Sequence, residues 1–299
     1  MQASSATRAL TLPFEPPFTA AAAQLSTVQA DVSFNLSAHL RFIRFAARYE
    51  VDLLVFPELS LTGYELPRAQ ELAFSATSLE DDQQLLSLRE ACKEAGLTVV
   101  AGLPLRLPPP EGKGQDKLHI ASLIFPPDGG PPAIYTKQHL DSEDPPFSAG
   151  YGGPCLHFKP STSSASSSST SPGQGTAVDE LVALAICADT SQPSHPHSAS
   201  VAGASLYCAS SCMSQRGYLA DTERLASYAQ AYEGMAILVA NHATATGGFD
   251  CKGGSTAWGG EGRQQVVSGT REGREELVLL RKRDRSGEAG GWEGEVIRL

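Results

Sequence analysis

The chain has 299 residues, 41% of them hydrophobic, enough for one large core or two ordinary ones. Its 33 acidic against 23 basic side chains leave a net charge of -10 and no concentrated basic stripe, which argues against a phosphate-backbone binder and against nucleic acid as a partner. No apolar run approaches the roughly 20 residues that cross a bilayer. The opening MQASSATRALTLPFEPPF is broken by Pro and Glu rather than forming a signal-peptide core, so no membrane contact and a cytoplasmic location are expected.

Apolar strand-like runs then alternate with amphipathic segments along the chain. FTAAAAQL (18–25) is strand-like, and Asn35 is placed to cap a helix carrying Leu36, Leu40, Ile43 and Ala47 at helical spacing. VDLLVF (51–56) is a continuous apolar run, as in strands covered on both faces. LEDDQQLLSLREACKEAG (79–96) predicts a helix with acids in its first turn and Gly96 as its stop, followed by the strand LTVVAG. HIASLIF (119–125) and AIYTK (133–137) flank PPDGGPP as a hairpin. LVALAI (181–186), ASLYCA (204–209), helical TERLASYAQAYEG (222–234) and MAILVAN (235–241) continue the alternation. GSTAW, QQVVS, ELVLLR and GEVIRL close it.

Two segments interrupt the pattern. LPPPEGKGQDK (107–117) is rich in Pro and Gly, and STSSASSSSTSPGQG (161–175) is too polar to repay its ordering entropy. The same alternation resumes after each, so both are insertions in one domain. This gives an extension over 1–17 and a single domain over 18–299, without an internal repeat.

Three polar groups end apolar runs. Glu58 follows VDLLVF and a proline, at the carboxyl end of a strand, where open α/β sheets place functional groups. A carboxylate desolvated there has a raised pKa suited to proton transfer, although an isolated PEL more often merely caps a loop. Lys137 ends AIYTK, where a lone lysine is usually a solvated flank. Cys187 ends LVALAI, where a lone cysteine is usually an inert buried thiol. An acid, a base and a nucleophile at three strand ends make a site more plausible than any one of them.

These blocks, FPELSLTGYE, YTKQHL and AICADTSQP, in this order and spacing, resemble the nitrilase superfamily of carbon-nitrogen hydrolases over roughly residues 18–299. The resemblance implies an α/β fold, a four-layer α-β-β-α sandwich, and a Glu-Lys-Cys triad. Cys187 would be the nucleophile, Glu58 the general base, and Lys137 with the backbone N–H of Ala188 the oxyanion stabilisers. A run like E-x3-F-x2-G appears as EDPPFSAG, which makes Glu143 a fourth candidate, orienting Lys137 or the substrate. Tyr64, Phe147 and His195 are candidate substrate-binding residues by proximity to the triad. Departures lie beside it: Ala188 stands where an aromatic is usual, Ser194 follows Pro193, and AQAYEG replaces the usual Arg-Ala-x-Glu-Asn helix signature.

The implied activity is hydrolysis of a small linear amide, with a nitrilase, or an acyl-transferring or ligand-binding relative, as alternatives. A homodimer or larger homo-oligomer is implied, and no cofactor. No metal is expected either. His195 and His197 lack a third ligand cluster and read as a polar loop, and of the six cysteines only Cys208 and Cys212 are closely spaced. The other thiols read as reduced and buried. STAWGG and ATATGGFD lack the strand and helix context of a nucleotide-binding loop.

Overall fold

In the computed structural model the described residues are 18–109, 114–142, 144, 146–150, 155–158, 180–260, 265–282 and 291–299. The expected extension over 1–17 and the serine tract over 161–175 lie outside them.

The chain begins with β1 (Thr19–Gln24), α1 (Val32–Ala46), β2 (Leu53–Val55), a short α2 (Ala69–Leu72), β3 (Phe74–Ser75), α3 (Gln83–Ala95), β4 (Thr98–Leu107), β5 (Lys117–Phe125) and β6 (Ala133–Thr136). It continues with β7 (Cys155–Phe158), β8 (Glu180–Ile186), α4 (Ser194–Val201), β9 (Leu206–Ser210), α5 (Tyr218–Ala231) and β10 (Ala236–Ala240). It ends with β11 (Thr256–Trp258), β12 (Gln265–Ser268), β13 (Glu276–Lys282) and β14 (Trp292–Arg298). Among the described residues these strands form two sheets. One has the order β14-β13-β1-β2-β4-β5-β6 with β3 beside β4, and the other β12-β11-β10-β9-β8-β7. Each sheet has a parallel centre, β1-β2-β4 in one and β8-β9-β10 in the other, flanked by antiparallel strands.

Side-chain alternation stacks the layers. Ala20 and Ala22 of β1 share a core with Val182, Leu184 and Ile186 of β8, between the two sheets. Ala21 and Ala23 turn the other way, onto Phe42 and Ile43 of α1 and Leu85 and Leu88 of α3. Leu181, Ala183 and Ala185 of β8 turn onto Ala199 of α4 and Leu225 of α5. The order is therefore helices, sheet, sheet, helices. Fully buried Phe42 and Ile43 contribute about 1.5–3 kcal/mol each to the outer seam.

The β5–β6 hairpin forms as the sequence predicts, and Gly96 ends α3 in the left-handed region at φ 66°. The α3 helix starts later than expected because the Asp82 carboxylate accepts from Gln84 N and Leu85 N. Asn35 does not cap α1. Asp31 does, accepting from Phe34 N, while Asn35 is a buried residue of the helix whose amide ties Val28 and Leu61 to it. SHPHSASV is helical rather than an extended loop, with His195 on its buried side. No helix among the described residues is long and apolar enough to cross a membrane.

Candidate active site

Glu58 sits in a tight turn that follows β2. Phe56 N donates to Val100 O on β4 at 2.9 Å, and Leu61 N donates to Gly102 O at 2.9 Å, so the turn folds back over β4. Gly102 permits this. A Cβ there would lie 2.5 Å from Leu59 N and 2.8 Å from Pro57 O. His242 fixes the far side: its Nε2 bonds the Glu58 carbonyl at 2.8 Å, and a carbonyl can only accept, so Nε2 carries the proton.

Lys137 leaves β6 with its N–H bonded to Ile120 O, and its carbonyl accepts from Gly150 N at 2.7 Å. Its ammonium is fully buried, 2.8 Å from Glu58 Oε1 and 2.8 Å from Asp144 Oδ2. Burial alone would discharge the lysine, but its pairing with Glu58 and Asp144 outweighs this and holds its pKa above the ordinary value. Glu58 moves the other way. Burial raises its pKa, Lys137 pulls it down, and Asp144 pushes it up again.

Cys187 stands at the carboxyl end of β8 with φ 43°, a left-handed conformation that is uncommon for a side-chain-bearing residue and opens the turn over 187–191. It is less buried than the other described cysteines. Burial and the Glu58 charge raise its pKa, Lys137 and the Cys212 backbone N–H lower it, and the thiol stays protonated at neutral pH. The thiol lies near enough to Glu58 to lower the carboxyl pKa. Glu58 Oε2 is buried without a hydrogen-bond partner among the described residues.

Asp189 ties the second and third of these elements together. Its Oδ1 accepts from Gln138 N and His139 N, at 3.0 and 2.8 Å, just beyond Lys137. Its Oδ2 accepts from Ile186 N at 3.0 Å, just before Cys187, and from Tyr135 OH at 2.7 Å. Tyr135 OH also meets His195 Nε2 at 2.9 Å, and His195 Nδ1 meets Tyr207 OH at 2.9 Å. The exits of β6 and β8 thus share one buried carboxylate.

A cavity of about 280 Å³ opens on Cys187 and Lys137 and is lined by Tyr64, Ala188, Cys212, Met213 and Phe249, with Asp221 and Arg224 among its polar residues. Glu58, Lys137 and Cys187 are therefore brought together, and Ala188 and Tyr64 border the same space. Phe147 instead packs in the core between the sheets. His195 is a buried network residue rather than a pocket residue. Glu143 lies outside the described residues, and the acid that reaches Lys137 is its neighbour Asp144. Asp144, Asp189 and His242 were missed. Asp189 had a signal, two positions after Cys187; Asp144 was hidden by an adjacent acid, and His242 by the whole sequence between it and Glu58. Among the described residues no cluster of three His, Cys, Asp or Glu could hold a metal.

The sequence model for carbon-nitrogen hydrolases matches residues 19–287. This chain belongs to the carbon-nitrogen hydrolase family. The hydrolase also shares its fold with solved members of the nitrilase superfamily. An amidase from Nesterenkonia sp. AN1, solved with butyramide, is 21% identical with a TM-score of 0.68, covering 88% of this chain and 90% of the other. In another structure of that amidase, at 21% identity and a TM-score of 0.69 over 89% of this chain and 91% of that one, the acetamide moiety of fluoroacetamide is covalently added to the active-site cysteine. Nit3 from Saccharomyces cerevisiae, described as a member of branch 10 of the superfamily, is 19% identical with a TM-score of 0.69, over 89% of each chain. At these identities the likeness establishes the fold of the hydrolase and leaves its substrate to the chemistry of its own site.

Proposed function

We propose that this carbon-nitrogen hydrolase is an amidase that cleaves a small linear amide through a Cys187 acyl-enzyme, with Glu58, Lys137 and Cys187 as its triad. The observation that carries this reading is a protonated thiol beside a buried carboxylate of raised pKa, both within the field of a doubly paired ammonium, at the base of a cavity. The proton of Cys187 passes to Glu58 as sulfur attacks the amide carbon. The oxygen of that carbon gains negative charge, which Lys137 and the N–H of Ala188 stabilise, since fixed charges and dipoles act strongly where water is excluded. Glu58 gives the proton to the departing nitrogen, and ammonia leaves a thioester. Water then attacks the thioester, its proton going to Glu58 and back to sulfur as the acid is released.

Amide-binding neighbours favour an amide over a nitrile. Asp144 would serve as a second anionic partner that holds Lys137, 2.8 Å from its ammonium. Tyr64 would border the acyl group. A homodimer in the cytoplasm is part of the same proposal: Val201 of α4 and Leu219 of α5 are 73% and 65% exposed on an outer helical layer, and five described cysteines are unpaired.

The test is intact-protein mass spectrometry with ammonia detection over a panel of small amides and nitriles. The expected result is an acyl adduct on Cys187 with ammonia release from amides, and a loss of at least about 10³-fold in Cys187→Ala. Retained turnover in that variant would overturn the reading. Ammonia from nitriles alone would replace it with a nitrilase, and an adduct discharged by amines but not by water with an acyl transferase.

A further inference from the structure

A cysteine in the wall of the cavity and a second one buried beside it have no part in the reaction above. Cys212 Sγ and Cys251 Sγ are 3.6 Å apart, although the residues are separated by 39 positions in sequence. Cys212 follows β9 and lines the cavity beside Cys187 and Met213; Cys251 follows Phe249, another lining residue, and is almost fully buried behind it. Cys208, the other half of the close sequence pair, is a fully desolvated thiol of a central strand.

We propose that Cys212 and Cys251 are a modification site: a reversible disulfide that forms in the wall of the catalytic cavity when a small hydroperoxide enters it. A disulfide places its sulfurs at about 2.05 Å, so the pair must close by about 1.5 Å, which side-chain rotation can supply. Cys212 faces the cavity and meets the oxidant. Its sulfur takes one oxygen as the O–O bond breaks, giving a sulfenic acid and water, or an alcohol from an organic hydroperoxide. The Cys251 sulfur then attacks that sulfur, the S–S bond forms, and the hydroxyl leaves as water with the Cys251 proton. Two thiols are oxidised and one hydroperoxide is reduced; a dithiol reverses the change by exchange.

The geometry couples this bridge to the site. Cys212 lines the same cavity as Cys187, and its backbone N–H is among the groups that lower the Cys187 pKa. The next residue is clamped: Met213 N donates to Asn241 Oδ1 at 2.8 Å, and Asn241 Nδ2 donates to Met213 O at 3.1 Å. Drawing Cys212 toward Cys251 therefore strains a short segment that lines the cavity beside Cys187. Burial and the neighbouring Cys251 keep Cys212 protonated at neutral pH, so the bridge forms faster as pH rises. The bridge is independent of the reaction catalysed, whereas its effect on turnover rests on the amidase reading.

The decisive experiment treats full-length Cys187→Ala protein with hydrogen peroxide, blocks the remaining thiols and maps the peptides. The expected result is a mass loss of ~2 Da, a peptide joining Cys212 to Cys251, its removal by dithiothreitol, and faster formation at higher pH. The crosslink should vanish when Cys251→Ser or, separately, Cys212→Ser is added. Either thiol remaining free, or Cys212 pairing elsewhere, would overturn the proposal. In the enzyme with Cys187 intact, dithiothreitol should restore more lost turnover than in Cys251→Ser; equal recovery would overturn the link to the site. Failure of the amidase reading would leave the crosslink intact, so the two results separate.

Discussion

In the proposed reaction, when the Cys187 proton moves to Glu58, Lys137 loses one of its two anionic partners and keeps the other, because Asp144 Oδ2 lies 2.8 Å from its ammonium. The net charge of the buried cluster does not change in that step, and the lysine stays charged while the oxyanion forms. This gives Asp144 a testable role. Its charge raises the Glu58 pKa, so Asp144→Asn should lower that pKa, weaken Glu58 as a base, and move the acid limb of the kcat/KM profile to lower pH. A fall in kcat of about 10²-fold or more should accompany the shift. An unmoved acid limb, measured by ammonia release across pH, would place Asp144 outside the proton inventory. That Glu58, Lys137 and Cys187 would meet was legible in the sequence from three strand ends taken together with the family-like blocks around them, not from any one alone. Asp144 was not: spacing alone cannot choose between neighbouring acids, and the choice depends on how residues 141–144 turn, where Asp141 N donates to Asp144 Oδ2. His195 misled for a related reason. Its polar neighbours suggested a loop, but α4 buries it between Tyr135 and Tyr207.

The parallel centre of each sheet delivers one candidate catalytic residue, Glu58 after β2 and Cys187 after β8, and the β5–β6 hairpin brings Lys137 beside Glu58. The β2 turn depends on a residue in another strand. Gly102 of β4 lies under Leu59 and Pro57, and a methyl group there would meet backbone at 2.5 and 2.8 Å. The obstacle is main chain rather than the end of a side chain, so the turn itself must move. Gly102→Ala should cost about 1–3 kcal/mol by overpacking and displace Glu58 from Lys137. Both the melting temperature and kcat should fall, while Gly96→Ala, where a Cβ meets nothing but φ is 66°, should lower stability alone. Full activity in a stably folded Gly102→Ala protein would show that the turn tolerates the shift. Strands were readable at this scale because apolar runs of this length have few alternatives. Caps were less so, since Asp31 and Asn35 both suit the start of α1 and only tertiary contacts with Val28 and Leu61 assign Asn35 to the interior.

Among the described residues the fold buries several titratable side chains, and this sets how the molecule responds to acid. His39 and His242 lie on either side of the Glu58 turn, fully buried: His39 between Asn35 O and the Ser60 hydroxyl, and His242 on the Glu58 carbonyl. Burial lowers both pKa values from 6.5 to about 4. Each histidine is therefore neutral in the folded protein over a range in which the unfolded chain takes up a proton. Below pH 6.5 the unfolded state binds more protons than the native state, so stability falls as pH falls, until about pH 4, where the native histidines also titrate. The full penalty is on the order of 3 kcal/mol for each histidine. Asp52 acts in the opposite sense. Burial raises its pKa to about 6, so the native state holds that proton longer and gains stability as pH falls from about 6. Because these contributions overlap, the informative quantity is a difference between proteins. His39→Gln should be less stable than the parent at pH 7 and should lose less stability between pH 6.5 and 4, narrowing the gap. Urea unfolding at several pH values measures it directly, and a gap that stays constant across that range would mean His39 is not held neutral by the fold.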